Sequence, residues 1–159
     1  MQNKRFIITG GPGAGKTTLL QKLRKKGILC YDEISREVIK EQQKIGGKAT
    51  PWEDVEDFAK ITFSEIEKQL KKTPNELSFF DRGLADVIAY LSIEGKEIPK
   101  YILNYPYHDF YNSKVFILKP KKEYYKQDSQ RLQSFEKSMA IYNKLYVVYS
   151  SLGFDLVLL

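Results

Sequence analysis

A chain of 159 residues, 42% hydrophobic and 29% charged, has enough apolar surface for a continuous core and lies outside the composition of disordered proteins. Its lone cysteine excludes an internal disulfide scaffold, and no apolar run approaches the roughly 18 residues a membrane helix requires. The net charge of +6 comes from lysines spread along the chain, without a basic tail or an aromatic-basic motif, so it points to phosphate handling and a solvated lysine surface rather than nucleic acid.

Short apolar runs alternate with amphipathic stretches, the pattern of βαβ units around a parallel sheet. Arg5–Gly10 is the first predicted strand. Lys16–Lys26 follows as a helix, with Leu19, Leu20 and Leu23 on its buried face and Gly27 as its stop. Ile28–Tyr31 is the second strand; its Cys30 reads as an inert core thiol. A helix around Ile34–Gln42 is broken at Gly46-Gly47. Thr50-Pro51-Trp52-Glu53 then reads as a capping box, with threonine as N-cap, proline at the first helical position and glutamate at the third. The helix it opens carries Val55, Phe58, Ala59, Thr62, Ile66 and Leu70 at helical spacing.

Leu77–Phe80 is the third strand, and Leu84–Leu91 starts another helix. The sole His108 has no cysteine or histidine partners for a metal site, and the tyrosines around it (101, 105, 107 and 111) suit a packed core better than an interface. Val115–Leu118 is the fourth strand. The polar, lysine-rich segment Pro120–Gln130 leads into a long helix bearing Leu132, Phe135, Met139, Tyr142, Tyr146 and Tyr149, and Asp155–Leu159 is the last strand. Five strands with helical crossovers predict one three-layer α/β domain over residues 1–159. A helical insert at roughly 34–75 and a lid at roughly 119–131 interrupt it. The N-terminus is not a signal peptide, and a cytoplasmic location follows by default.

Gly10-Gly11-Pro12-Gly13-Ala14-Gly15-Lys16-Thr17 matches the phosphate-binding loop G-x-x-x-x-G-K-[ST] in full, between an apolar strand and an amphipathic helix. Glycines let backbone N–H groups turn inward around a phosphate, and the helix aims its positive dipole end at the same anion. Lys16 is expected to reach the β- and γ-phosphates and the Thr17 hydroxyl to ligate Mg²⁺, with Gly11–Thr17 and Thr18 forming the nucleotide site. A plain glycine turn would explain the glycines but not the Lys-Thr pair at that offset.

Three further groups narrow the class. Asp32 and Glu33 follow the second strand, where open α/β sheets place ligands, and Arg36 shares their helical face. A carboxylate there suits orienting or deprotonating an acceptor hydroxyl, and the arginine suits an anionic acceptor group; the alternative is a helix cap beside a surface ion pair. Phe80-Asp81-Arg82-Gly83 ends the third strand. Asp81 stands where a second Mg²⁺-side carboxylate belongs, and Arg82 projects toward the acceptor. Finally Lys121, Lys122, Lys126 and Arg131 suit a lid that closes over the triphosphate, with Arg131 the best single catalytic candidate; a solvated charge run is the alternative.

These residues, with Phe6–Thr9, Pro51-Trp52, Asp86, Tyr90, Gln127-Asp128, Phe135 and Glu136, resemble a family of small P-loop ATPases and kinases that carry an AAA-domain label and are related to nicotinamide riboside kinases. The Asp81-Arg82 pair also resembles thymidylate and deoxynucleoside kinases. The resemblance implies a kinase-type P-loop NTPase fold, a five-stranded parallel sheet flanked by helices, with the P-loop residues, Asp81, Arg82 and the lid arginine as its machinery. Against a motor ATPase, strand three ends Asp-Arg instead of in an acidic pair, and against a regulatory GTPase there is no Asn-Lys-x-Asp motif. The expectation is a kinase using ATP, with GTP an alternative, and Mg²⁺ to phosphorylate a small nucleoside- or nucleotide-like acceptor. Its rival is an NTPase or nucleotide-dependent binding module without an acceptor. Neither the acceptor nor the oligomeric state is legible in the sequence.

Overall fold

Strands rich in large apolar side chains on both faces belong in a parallel sheet covered by helices on each side. The computed structural model describes residues 2–125 and 129–159, without the side chains of residues 124 and 129–133. Its strands β1 (Arg5–Gly10), β2 (Leu29–Tyr31), β3 (Ser78–Asp81), β4 (Lys114–Leu118) and β5 (Asp155–Leu158) form one parallel sheet in the order β2-β3-β1-β4-β5. Parallel neighbours need long crossovers. These are α1 (Lys16–Lys25), then α2 (Ile34–Ile45) with α3 (Val55–Lys72), then α4 (Asp86–Ile93) with the single turns α5 (Lys100–Leu103) and α6 (Tyr107–Phe110), and finally α7 (Ser129–Ser151). The five-stranded, helix-flanked architecture is the one the alternating pattern predicts. Among the described residues, no helix is long and apolar enough to cross a membrane.

Period-two alternation divides the strand side chains between two cores. Ile7, Phe80, Val115 and Ile117 face α3, α4 and α7, where they meet Phe63, Leu70, Leu84, Leu145 and Tyr149 in the larger core. Ile8 and Leu118 face the other way with Ala14 and Leu20, against partly buried Phe79 and Phe116. Tyr107 and Tyr111 are buried in the larger core, as core tyrosines should be, whereas Tyr101 is half-exposed. His108 Nε2 donates a hydrogen bond to Leu152 O (2.8 Å), and the ring stacks on Phe154.

The capping box is corrected by the structure. Thr50 Oγ1 does accept from Glu53 N–H (3.2 Å), but this closes only an isolated turn. The N-cap of α3 is Asp54, whose carboxylate accepts from Asp57 N–H at 3.0 Å. An aspartate at that position is as good a cap as threonine, and the helix starts where the first buried side chain, Val55, can reach the core. The single turns α5 and α6 escape periodicity analysis because one turn is too short to show a period.

Candidate functional site

The loop after β1 reaches its shape through Gly13 and Gly15, at φ 75° and 89°, a left-handed region that side chains with a Cβ avoid. Gly15 is the N-cap of α1 and supplies no side-chain cap, and no acidic residue sits in the first turn. The helix end therefore offers its N–H groups and positive dipole to an anion. Gly11 and Gly13 also answer a packing demand. A Cβ on Gly11 would lie 2.5 Å from Ser138 O, and one on Gly13 would strike the Tyr125 ring. Ser138 Oγ donates to Pro12 O at 2.5 Å and the Tyr125 hydroxyl donates to the same carbonyl, so α7 and the turn before it brace the loop.

Lys16 is buried at the base of the loop. Its ammonium pairs with Asp81 and lies 3.9 Å from Glu33 Oε2. Sheet register explains the first contact: β3 lies beside β1 with Asp81 opposite Ile8. Burial pushes the Asp81 carboxyl above its usual range, more than the adjacent Lys16 lowers it. For Glu33 the balance reverses. Burial would raise it, but Arg82, Lys16, the Ser35 hydroxyl and Arg36 together hold it below the usual carboxylate range.

Arg82 has a left-handed backbone (φ 70°), uncommon for a residue with a side chain. Its N–H still continues the ladder to Ile8 O at 2.9 Å, while the guanidinium donates to Glu33 Oε1 (2.9 Å) and Asp86 Oδ2 (3.0 Å). Asp86 is 1% exposed and also accepts from Thr9 Oγ1 (2.6 Å), Gly83 N–H (3.1 Å) and the Tyr149 hydroxyl. Burial and the Asp86 carboxylate hold the Tyr149 hydroxyl protonated, well above its ordinary value. A buried acid and base thus satisfy each other and fix Arg82 in one geometry.

Two openings converge here. A cleft of about 570 Å³ is lined by Gly11–Thr17 with Glu33, Arg36 and Arg82. An apolar slot of about 370 Å³ lies between α2, α3, α4 and α7, walled by Ile39, Trp52, Phe58, Tyr90 and Ile141. Pro12 and Glu33 line both.

The sequence candidates separate in the structure. Lys16, Glu33, Asp81 and Arg82 come together, and Arg36 reaches Glu33 Oε2 at 2.9 Å from an exposed position. Asp32 does not join them: its carboxylate is 79% exposed and pairs with Arg24 at 2.5 Å. It therefore stands in the arrangement of a surface ion pair. Thr18 is exposed on α1 and does not line the cleft. The Arg131 side chain, Lys126 and residues 127–128 lie outside the described residues. Sequence reasoning assigned no site role to Ser138 or Tyr149, and placed Thr9 and Asp86 only through the resemblance. The signal for Asp86 is its spacing, four residues after Arg82; the others meet the site from distant elements and leave no local mark.

A comparison with curated proteins finds no match. Solved structures similar to this chain include deoxyadenosine kinase from M. mycoides with the products dCMP and a flexible dCDP bound. That likeness has 17% identity and a TM-score of 0.62, covering 98% of this chain and 89% of the other. Thymidylate kinase from Ehrlichia chaffeensis follows at 17% identity and TM-score 0.60, covering 99% and 88%. Shikimate kinase from Aquifex aeolicus is similar at 17% identity and TM-score 0.50, covering 98% and 84%. At these identities the likeness establishes the fold: that of small P-loop kinases. The family model described as AAA domain matches residues 5–159, and the chain belongs to that family.

Proposed function

We propose that this protein is a small-molecule kinase, transferring the γ-phosphoryl group of ATP to a nucleoside- or nucleotide-like acceptor. The observation that carries this reading is the meeting of the loop-lined cleft and the apolar slot at Pro12 and Glu33. An acceptor hydroxyl in the slot and a terminal phosphate in the cleft would face each other across Glu33, which is the proximity that phosphoryl transfer requires.

The loop N–H groups and Lys16 hold the triphosphate, and Arg36, exposed at the cleft wall, supplies a second positive charge. Thr17 and Asp81 offer hard oxygen ligands, and no group of three or more metal-ligating side chains stands together among the described residues. That donor set would hold an ion carried in with the phosphates. Held by Thr17 and Asp81, Mg²⁺ would supply charge neutralisation for the bound phosphates. In the transfer, the acceptor oxygen forms a bond to the γ-phosphorus as the β–γ bridging P–O bond breaks, ADP departs, and the hydroxyl proton passes to Glu33. The low proton affinity of Glu33 suits a dissociative transfer, in which the proton leaves late and the carboxylate mainly orients the hydroxyl.

The test is transfer of ³²P from γ-labelled ATP across a panel of nucleosides, nucleotides and vitamin-type alcohols. Labelled acceptor is expected, abolished by Lys16→Ala and reduced at least a hundredfold by Glu33→Gln. Release of labelled inorganic phosphate alone, undiminished in Glu33→Gln, would overturn the kinase reading in favour of an NTPase.

A further inference from the structure

The slot beside Glu33 has a chemistry distinct from the cleft it joins. Its walls are aromatic and branched aliphatic, from Ile39 on α2, Trp52 in the turn before α3, Phe58 on α3, Tyr90 on α4 and Ile141 on α7. Its volume of about 370 Å³ lies in the range of small-molecule sites. Flat walls of this kind take a planar ring, which stacks on them with its polar edges left to the rim. Among the described residues, the charges along the slot are the carboxylates of Glu33 and Glu94 and the exposed ammonium of Lys137.

Among the described residues, no guanidinium lines it. Arg82 is spent on Glu33 and Asp86 and is only 10% exposed, so lending it to a phosphate would leave the buried Asp86 carboxylate hydrogen-bonded but without the cation that pairs with it. Arg36 lines the cleft, not the slot, and is bound to Glu33. Among the described residues, a phosphate carried into the slot would face two carboxylates against one rim lysine.

We propose that the slot takes the ring of an unphosphorylated alcohol of the nucleoside kind and rejects the corresponding monophosphate, because its wall is aromatic and its charged lining is acidic where a phosphate would need arginine. The inference rests on the kinase reading for the fate of the hydroxyl, but not for binding itself. The bound ring lies against Trp52, with its hydroxyl at Glu33 and facing the phosphate cleft.

Trp52 is the sole tryptophan and half-exposed at the slot, so its fluorescence reports occupancy without any turnover. The full chain is titrated with thymidine, cytidine, adenosine and guanosine and with their 5′-monophosphates, with a non-hydrolysable ATP analogue present; label transfer is followed in parallel with γ-labelled ATP. At least one nucleoside is expected to quench Trp52 and bind at least tenfold tighter than its monophosphate. Glu94→Arg, an exposed change that spares the core, should narrow that gap at least threefold. Nucleoside binding without label transfer would uphold the slot assignment and sink the kinase reading. Monophosphates that bind as tightly and become labelled would overturn the assignment and leave the kinase standing. An unmoved Trp52 signal with every compound would overturn the assignment outright.

Discussion

Arg82 concentrates the cost and the benefit of this site in one residue. Its left-handed backbone is unfavourable for a side-chain-bearing residue, and Glu33 and Asp86 hold the guanidinium that makes it tolerable. Asp86→Asn leaves the buried arginine with one carboxylate and is expected to destabilise the fold by about 3 kcal/mol, read from urea unfolding, since breaking a buried pair costs more than the pair contributes. Glu33 and Asp81 differ in sign with pH. Glu33 has its carboxyl lowered, so the stability from its ion pairs is fully present above the ordinary glutamate value of about 4.3 and is lost as pH falls through the folded value. The melting-temperature difference between the wild type and Glu33→Gln should stay constant above about pH 5 and shrink in more acid solution. Asp81, raised by burial, contributes the opposite slope: its native carboxyl keeps a proton to higher pH, and its contribution falls as pH rises through that window.

Elements meet at the loop through contacts that a sequence motif does not encode. The phosphate-loop pattern leaves position 11 open, and Ser138 of α7, pressing on it, is what calls for a glycine there. Gly11→Ala should weaken ATP-analogue binding at least tenfold in calorimetry, because the loop must shift away from the helix. Adding Ser138→Ala should not restore affinity, since the Ser138 carbonyl, 2.5 Å from the added Cβ, remains. Beside the slot, α3 starts on Asp54 rather than Thr50. Asp54→Ala is expected to cost about 1 kcal/mol in chemical denaturation, the value of a lost N-cap. Thr50→Ala, which loosens only a preceding turn, should cost less.

On the scale of the whole molecule, ligand binding and folding are linked. An ATP analogue with Mg²⁺ at a hundredfold excess over its dissociation constant adds about 2.7 kcal/mol to stability, a rise of about 5–10 °C in melting temperature for a domain of this size. Calorimetric melts should show that rise in the wild type and lose it in Lys16→Ala. What the sequence determined alone is local. The alternating apolar runs fix strand and helix, the glycine-lysine-threonine spacing fixes the loop, and the Asp81-Arg82 pair at a strand end fixes where charge gathers, because each depends on neighbours a few residues apart. Only the tertiary structure decided between adjacent residues of identical charge. Asp32 turns out to Arg24 and Glu33 turns in to Arg82, a choice made by the way β2 lies beside β3. It also decided that Asp86, Thr9 and Tyr149, from three distant segments, hold one arginine, and that α2, α3, α4 and α7 enclose an apolar slot against Glu33. Such contacts exist only once the sheet order brings the segments together, and a short-range pattern carries no record of that order.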